Sequence, residues 1–329
     1  MSTPEIIIIG GGVSGLSCAS ELATAGRRVQ VWTAAPPHQT TSAVAAAFWY
    51  PYRVDPIERV GPWAAASYER FATIAGNLAL GPTAGVYMRE ALEVFVERVP
   101  DPPWSRYVDM FRHAVPEELP AGYEHGLVFE SPVIDMPRYL PWLVAGLERL
   151  GVEIVPQARP LDSLAPALER AQVVVNTTGL GARELVGDSR LYAVRGQTLR
   201  RERGELSRVI IDEHGPHGIS YVIPRGDDVV LGGVADERDE DLELRPEQSA
   251  AIFERCARLE PGLVDNKPLG ASVGLRPCRD EVRLEQEERD GQLIVHDYGH
   301  GGAGVTLSWG CAEEVRDRVQ SWLQARRGG

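Results

Sequence analysis

Two apolar runs near the N-terminus flank a segment with helical periodicity. The β-branched run EIIII ends at a group of glycines, an alanine- and leucine-rich stretch follows, and RRVQVW resumes the alternation of a strand. This order predicts a strand, a helix and a second strand, and hence a β-α-β unit with parallel strands.

Later segments show strand signals in different settings. The run AQVVVNTTGLGA is typical of a buried strand, and its polar end with Gly179 is expected at the carboxyl edge of a parallel sheet. Residues 60–135 instead alternate amphipathic pieces with proline-rich breaks, and residues 190–235 contain three strand-like runs punctuated by glycine and proline. We therefore predict an α/β protein with a discontinuous Rossmann-like domain and an α+β substrate domain whose sheet is mainly antiparallel.

Gly10, Gly12 and Gly15 form the pattern G-x-G-x-x-G directly after the first predicted strand. In this pattern the first glycine allows a tight turn, the second lets the backbone approach a pyrophosphate, and the third allows the helix to pack closely on the strand. The N-terminus of the following helix then faces the phosphates. The placement between a strand and a helix predicts dinucleotide binding, and the alternative is a glycine turn in an unrelated α/β sheet.

The acidic residue that usually binds the adenosine ribose, about 20 residues after such a motif, is missing from the sequence. No Asp or Glu lies between Glu21 and Asp55, so Thr33, the backbone or water must bind the ribose. Arg27 and Arg28 precede the second strand and are poorly placed for a 2′-phosphate. These observations argue against NAD and NADP as the ligand.

The segment PHQTTSAVAAAFWYPY at residues 37–52 combines hydroxyl groups, small side chains and aromatic rings. Small side chains let a large flat ligand lie against the backbone, and Thr40, Thr41 and Ser42 can donate hydrogen bonds to phosphate or ribityl oxygens. An ordinary loop that leads into a core aromatic cluster explains the same pattern.

Composition narrows the classes of function. The chain has 329 residues, 43% of them hydrophobic, which suits one large or two ordinary domains with a buried core. A net charge of −13 argues against a nucleic-acid partner, which needs clustered basic residues. The apolar run near the N-terminus is too short for a membrane span and lacks the flanks of a signal peptide. We therefore predict a cytoplasmic protein without a membrane partner.

The cysteines, Cys18, Cys256, Cys278 and Cys311, are scattered without the spacing of a metal site, and no metal is predicted. We interpret them as small buried apolar residues. A disulfide between Cys256 and Cys278 is left open, as is a homodimeric state.

Six segments carry a family resemblance: GGGVSG, TTSAVAAAFWYPY, VVVNTTG, SYVIPRG, GLRPCRDEVRLE and YGHGGAGVTLSWGCA. Their order and approximate spacing resemble those of the D-amino acid oxidase family of FAD flavoproteins across nearly the whole chain. The resemblance implies FAD as the cofactor, an FAD-binding domain at residues 1–55, 135–185 and 268–329, and a substrate-binding domain at residues 56–134 and 186–267. It also implies hydride transfer from a D-amino acid to flavin N5, with O₂ as electron acceptor and a 2-oxo acid, ammonia and hydrogen peroxide as products.

The resemblance assigns the glycine turn YGHGGAG and the helix after it to the ring end of the flavin. The partial positive charge of a helix N-terminus would stabilise an anionic reduced ring there. Thr306 matches the flavin-contacting threonine of the family, His300 is a flavin-side hydrogen-bonding or structural residue, and Arg283 approaches the flavin. The predicted cofactor-binding residues are Gly10, Gly12, Val13, Ser14, Gly15, Thr40, Thr41, Ser42, Ala46, Gly179, Arg283, His300, Gly301, Gly304, Val305 and Thr306.

The catalytic residues are also implied by the resemblance. Arg276 matches the arginine that binds the substrate α-carboxylate, a role that suits the planar guanidinium. Tyr221 matches a tyrosine that adds a second hydrogen bond to that carboxylate. The carbonyl of Gly302 receives the substrate amine, which directs the Cα hydrogen of a D-amino acid at the flavin. Arg279 is equally well explained as a structural ion pair.

The predicted substrate pocket, formed by Tyr50, Tyr52, His217 and Ala303, departs from the family pattern. His217 stands where vertebrate enzymes carry a second active-site tyrosine, Ala303 replaces a bulkier aromatic residue, and Tyr50 stands where a glutamine is usual. The shape of the pocket is therefore not determined by the resemblance.

The charge of the pocket favours neutral over acidic D-amino acids. D-aspartate oxidases have a second arginine just after the strand that ends in LGG, and this chain has VADERDE there. An uncompensated second carboxylate in a partly desolvated pocket is costly, unless Arg53 or Arg225 supplies the charge. A glycine or N-methyl amino acid oxidase, a D-aspartate oxidase and a flavin-binding redox module with little turnover are the alternatives.

Overall fold

The computed structural model describes residues 4–51 and 54–327. Tyr52, predicted to line the substrate pocket, and Arg53 lie outside the described residues. The strands in chain order are β1 (Ile6–Ile9), β2 (Val29–Thr33), β3 (Val86–Phe95), β4 (Arg112–His113), β5 (His125–Ile134), β6 (Glu153–Pro156), β7 (Val173–Asn176), β8 (Tyr192–Glu202), β9 (Val209–Asp212), β10 (Ser220–Pro224), β11 (Asp228–Gly232), β12 (Asp236–Glu237), β13 (Pro268–Arg289) and β14 (Gln292–His300). The α-helices are α1 (Val13–Thr24), α2 (Ile57–Gly76), α3 (Leu80–Ala84), α4 (Met136–Arg149), α5 (Ala165–Leu168), α6 (Ala182–Leu185), α7 (Pro246–Leu259) and α8 (Gly304–Arg327).

These strands form one mixed sheet in the order β4-β5-β3-β9-β10-β11-β8-β13-β14-β7-β1-β2-β6, with β12 paired to β8. The run from β14 to β6 is parallel, and β1 lies between β2 and β7 with Ile6 opposite Val29 and Val173. All four isoleucines of β1 are buried, with Ile6 and Ile8 in one apolar cluster and Ile7 and Ile9 in another. A continuous apolar run is typical of a parallel strand covered on both faces. The predicted β-α-β unit is confirmed.

The rest of the sheet is mainly antiparallel. The strands β9, β10, β11 and β8 pair antiparallel in that order, and they contain the three runs of residues 190–235. The two parts of the sheet are continuous, because β13 pairs with β8 from Pro268 to Cys278 and with β14 from Cys278 to Arg289. The predicted α/β class with a mainly antiparallel part is confirmed, and the domain boundaries given above stay a prediction.

The first and last long helices, α1 and α8, pack side by side, and α2 packs on α8. The contact with α2 is close at Gly310, where a Cβ would overlap the backbone of Trp63. The buried carboxylate of Glu21 on α1 accepts hydrogen bonds from Arg70 of α2 at 2.7 Å and from Arg316 of α8 at 2.5 Å. This packing fixes the N-terminus of α1 relative to that of α8.

No helix within residues 4–51 and 54–327 has both the length and the apolar composition needed to cross a membrane.

Candidate active site

The surroundings of the turn between β1 and α1 show which positions of the motif must be glycine for steric reasons. Gly10 has a φ of +127°, and a Cβ there would lie 2.5 Å from the carbonyl oxygen of Thr177. A Cβ at Gly15 would overlap the carbonyl oxygen of Gly10. A Cβ at Gly12 would have only Ser42 Oγ of the described residues within 4 Å, at 3.2 Å. Gly10 and Gly15 are therefore needed for packing, whereas Gly12 borders open space.

The N-terminus of α1 suits an anion. Among the described residues, no side chain caps this helix and its first turn contains no acidic residue. The backbone N–H of Val13 donates to Ser42 Oγ at 3.0 Å. Unpaired backbone N–H groups and the helix dipole favour a negatively charged group at such an end. Together with the space beside Gly12, these features fit the pyrophosphate of the FAD that the sequence predicts.

The hydroxyl groups near this turn differ in whether they can donate a hydrogen bond to a ligand. Thr41 and Ser42 line the cavity described below. The hydroxyl of Thr40 donates to the backbone carbonyl three residues earlier at 2.7 Å, and that of Thr33 donates to the carbonyl two residues later at 2.5 Å. Since a hydroxyl carries one hydrogen, Thr40 and Thr33 can offer a ligand only an acceptor oxygen.

A cavity of about 240 Å³ connects the two glycine turns to the antiparallel part of the sheet. Its wall includes most of the predicted site residues, which come from five separate parts of the sequence: Val13, Ser14, Thr41, Ser42, Ala46, Tyr50, Tyr221, Arg276, His300, Gly301, Gly302, Gly304, Val305 and Thr306. The structure thus brings together the predicted cofactor and substrate residues, and their roles stay predictions.

Arg276 and Tyr221 form one unit on the cavity wall. Arg276 Nη1 donates to the carbonyl oxygens of Val234 at 3.0 Å and Arg195 at 3.3 Å. Its guanidinium also hydrogen-bonds the Tyr221 hydroxyl and lowers the pKa of that hydroxyl, whereas burial has the larger effect and raises it. The hydroxyl therefore keeps its hydrogen, and the pair offers N–H and O–H donors, which a carboxylate can accept.

Two glycines make room for this pair. A Cβ at Gly196 would lie 2.6 Å from the guanidinium nitrogens of Arg276, and a Cβ at Gly232 would overlap the ring of Tyr221. The two side chains therefore lie flat across glycines of the neighbouring strands β8 and β11.

The glycine turn before α8 and the first residues of that helix are held in place by hydrogen bonds within the protein. Gly299 and Gly301 have φ values of +83° and +56°, a region that favours glycine. The hydroxyl of Thr306 donates to the Tyr50 carbonyl at 3.0 Å and accepts from the Tyr50 N–H at 3.1 Å. The predicted flavin-contacting Thr306 therefore lies on the cavity, but its hydroxyl hydrogen is already used.

A buried polar cluster lies behind this turn. His300 Nε2 is 3.0 Å from Asp297 Oδ1, and Cys18 Sγ donates to Asp297 Oδ2 at 3.5 Å. One ligand-type atom each of Asp297, His300 and Cys311 lies within 4.8 Å of the others. Burial, followed by the Asp297 charge, raises the pKa of the thiols of Cys18 and Cys311 well above its ordinary value. We interpret the cluster as a hydrogen-bonded support for His300.

Arg279 and Arg283 lie in an ion-pair cluster away from the cavity wall. Arg279 Nε is 3.0 Å from Asp188 Oδ2, as expected for a structural ion pair. Arg283 donates to the Tyr298 hydroxyl and to Glu285, both at 2.5 Å. The structure therefore does not bring Arg283 to the predicted cofactor residues, because its guanidinium is held by Glu285, the Tyr298 hydroxyl and Asp188. Arg283 follows Arg276 by an odd number of residues, so strand alternation alone would not place the two side chains on one face.

Further predicted residues lie off the cavity wall, among them Gly10, Gly12, Gly15 and Thr40 near the first glycine turn. His217 is exposed in the segment between β9 and β10, and Ala303 is fully buried in the main core. Gly179 has a φ of +57° in the turn after β7. Arg225, considered as a source of positive charge for the pocket, is buried and bonded to Asp228 at 2.6 and 2.7 Å.

The sequence analysis missed two carboxylates beside Tyr50. The Tyr50 hydroxyl lies 2.6 Å from Glu93 Oε1 and 3.3 Å from Glu213 Oε2. Burial raises the pKa of Glu93 to about 7 and raises the pKa of Tyr50 well above its ordinary value. Glu93 interrupts the apolar run ALEVF of β3, and a charged residue in a strand of buried residues is the signal that could have identified it.

None of the four cysteines forms a disulfide, so the bridge between Cys256 and Cys278 that the sequence left open is not present. Cys256 is fully buried and its thiol lies 3.4 Å from the carbonyl oxygen of Tyr221.

Comparison with known proteins agrees with this geometry. A family model described as FAD dependent oxidoreductase matches residues 5–318. A protein of Rubrobacter xylanophilus named D-amino-acid oxidase is 46% identical over 311 residues, covering 94% of each chain. A Streptomyces coelicolor protein of the same name is 40% identical over 315 residues, covering 94% of this chain and 95% of the relative. The crystal structure of glycine oxidase from Bacillus cereus has the same fold, with a TM-score of 0.78 and 18% identity over 97% of this chain and 95% of that one.

Proposed function

The chain belongs to the family of FAD-dependent oxidoreductases, and from this premise we propose that it is a D-amino acid oxidase. The overall reaction consumes one D-amino acid, one O₂ and one water, and releases a 2-oxo acid, ammonia and hydrogen peroxide. Neutral D-amino acids are favoured over acidic ones. The family resemblance and the FAD cofactor predicted from the sequence are confirmed.

The observation that carries this proposal is the Arg276–Tyr221 unit on the cavity wall. Its guanidinium is held by two backbone carbonyls and its hydroxyl keeps its hydrogen. A fixed pair of donors of this kind binds a carboxylate with defined orientation. We assign Arg276 and Tyr221 to the substrate α-carboxylate and the Gly302 carbonyl to the amine.

The described residues fit FAD at both ends of the cavity. The pyrophosphate would be held by the turn of Gly10, Gly12 and Gly15 with the α1 N-terminus, and the ring by the turn from His300 to Gly304. When bound, FAD supplies the acceptor for the hydride of the substrate Cα and passes the electrons to O₂.

The residues of this chain position the substrate and exclude water. Val44, Phe48 and Ile223 line the cavity beside Tyr50, so the reacting centre lies against apolar groups. Removal of water strengthens the interaction between Arg276 and a carboxylate. Since the cofactor performs the oxidation, no triad or pair of catalytic carboxylates is required.

The experiment that tests the proposal uses the purified holoenzyme and its flavin absorbance. We expect anaerobic bleaching by D-alanine or D-methionine and none by the L-enantiomers. Rates on glycine, sarcosine and D-aspartate distinguish the related oxidases, and a protein that no amino acid bleaches would be a redox module.

The Arg276→Ala variant tests the assignment of the carboxylate site. We expect the KM for D-alanine to rise by orders of magnitude while FAD stays bound, because a buried charge-assisted pair contributes about 2–5 kcal/mol. Normal kinetics in this variant would contradict the assignment. The cytoplasmic location and a homodimeric state remain predictions.

A further inference from the structure

A buried carboxylate lies directly behind the glycine turn that precedes α8. Asp297 has no exposed surface, whereas His300, three residues later, lines the cavity beside Gly301 and Gly302. His300 Nε2 lies 3.0 Å from Asp297 Oδ1. His300 therefore borders the space in which the proposed function places the flavin ring, and the carboxylate lies behind it.

The other oxygen of this carboxylate bonds to the first long helix. Cys18 Sγ on α1 donates to Asp297 Oδ2 at 3.5 Å. Burial, followed by the Asp297 charge, raises the pKa of this thiol well above its ordinary value, so the thiol keeps its hydrogen. An ionised carboxylate only accepts hydrogen bonds, so the hydrogen between Asp297 and His300 belongs to Nε2.

The acidic groups around this cluster differ in their partners. Glu21 and Glu314, whose charges also act on the buried thiols of the cluster, each form ion pairs with two arginines. Asp297 is instead paired with His300, and an imidazole is either neutral or carries one positive charge. A nearby opposite charge favours the charged form of an ionisable group. Asp297 therefore stabilises positive charge on His300.

Positive charge at this place changes the balance between the two redox states of a flavin. Reduction adds electrons to the ring, and a positive charge placed where negative charge develops stabilises the reduced form. His300 directly precedes the turn and the N-terminus of α8, whose partial positive charge acts in the same direction. Stabilising the reduced ring more than the oxidised ring raises the reduction potential of the cofactor.

We propose that Asp297 is a positioning residue that raises the reduction potential of the bound FAD through His300. The carboxylate accepts the Nε2 hydrogen of His300, which orients the imidazole, and stabilises positive charge on it when negative charge develops in the ring. This inference rests on the placement of the ring in the proposed function. It adds a residue behind the cavity wall to those that control the oxidation.

The midpoint potential of the flavin in the purified holoenzyme, titrated with dithionite beside a reference dye, tests this role without any amino acid substrate. Asp297→Asn removes the charge and nearly keeps the shape of the side chain. The preference of the site for reduced over oxidised FAD should fall roughly tenfold, which lowers the potential by about 30 mV for a two-electron couple. Asp290→Asn, at an exposed position between β13 and β14, should keep the wild-type potential. A wild-type potential in FAD-loaded Asp297→Asn overturns the inference.

His300→Gln provides a second test, because glutamine cannot carry the charge and the potential should fall at least as far. Since Asp297 acts through His300, adding Asp297→Asn to this variant should lower the potential no further. An unchanged potential in His300→Gln, or additive shifts in the double variant, overturns the inference. A purely structural role of Asp297 would change the stability in urea or the FAD content and leave the potential unchanged. Failure of every amino acid to bleach the flavin refutes the proposed function alone, because the titration uses dithionite as the reductant.

Discussion

At the residue scale, the position of Tyr221 depends on a glycine, which has no side chain, on the neighbouring strand. Gly232 is directly opposite Tyr221 in the sheet, and the tyrosine ring occupies the space of its missing Cβ. The ring is rigid, so it cannot avoid an added methyl group by a rotation of its end, as the guanidinium of Arg276 can above Gly196.

Gly232→Ala should therefore displace the Tyr221 hydroxyl from the carboxylate site. We expect the KM for D-alanine to rise roughly tenfold, the effect of losing one hydrogen bond to a charged group of about 1.5 kcal/mol, with FAD still bound. Steady-state kinetics should give Tyr221→Phe a similar KM. Gly76→Ala is the control, because no atom lies within 4 Å of a Cβ there, and wild-type KM in Gly232→Ala would contradict the argument.

Single residues also show what the sequence could not determine. The motifs indicated where hydroxyl groups cluster, but not that the hydroxyls of Thr33 and Thr40 donate to nearby backbone carbonyls. The partner of Thr306, the Tyr50 carbonyl, is one that only the folded chain brings near. Strand alternation separates Arg276 from Arg279 and Arg283, which both follow it by an odd number of residues, but the sequence could not show which face of β13 borders the cavity.

At the scale of elements, α1 was the easiest part to predict. Its strand, glycine turn and helix follow from local sequence, and local signals of this kind are specific when they agree. The packing of α1 on α8 was not predictable from spacing, since nearly the whole length of the chain separates the two helices.

Gly12→Val should weaken the binding of FAD and spare the fold. The space beside Gly12 is free of described protein atoms except Ser42 Oγ, so the added side chain enters the volume predicted for the pyrophosphate. Overpacking of about 1–3 kcal/mol corresponds to a loss of roughly 5- to 150-fold in affinity. Flavin absorbance per mole of protein measures this loss, and circular dichroism checks the fold. Gly146→Val on α4 should keep its colour, and a fully yellow Gly12→Val protein would refute the pyrophosphate site.

At the scale of the whole molecule, the order of strands in the sheet could not be predicted from the sequence. The patterns of the parallel and antiparallel strands could be recognised separately. The two parts of the sheet are joined by β13, a strand of 22 residues, and the sequence analysis identified motifs in this region without predicting the strand. The carboxylates beside Tyr50 were missed for the same reason, since β3, the end of β9 and the segment after β2 meet only in the folded protein.

The buried Glu93 should make global stability depend on pH. Its carboxyl has an ordinary pKa of 4.5, and burial raises the pKa to about 7 in the folded protein. Between these values the folded state binds more protons than the unfolded state, so the free energy of unfolding falls as the pH rises from 4.5 to 7. The loss attributable to Glu93 is at most about 3 kcal/mol.

Urea unfolding of the holoenzyme, followed by circular dichroism at pH 5 and pH 8, checks this prediction. Glu93→Gln cannot ionise, and it should gain stability relative to the wild type at pH 8 compared with pH 5. The same difference in free energy at both pH values would show that Glu93 does not titrate in this window.

The long strand β13 also limits how the enzyme can move. Arg276 lies two residues before Cys278, where the strand changes its partner from β8 to β14. Hinge bending between the parallel part and the antiparallel part of the sheet would disturb the pairing of this shared strand. We therefore expect substrates to enter and products to leave through rearrangement of surface segments, with the distance between Arg276 and the turn of Gly10, Gly12 and Gly15 unchanged during turnover.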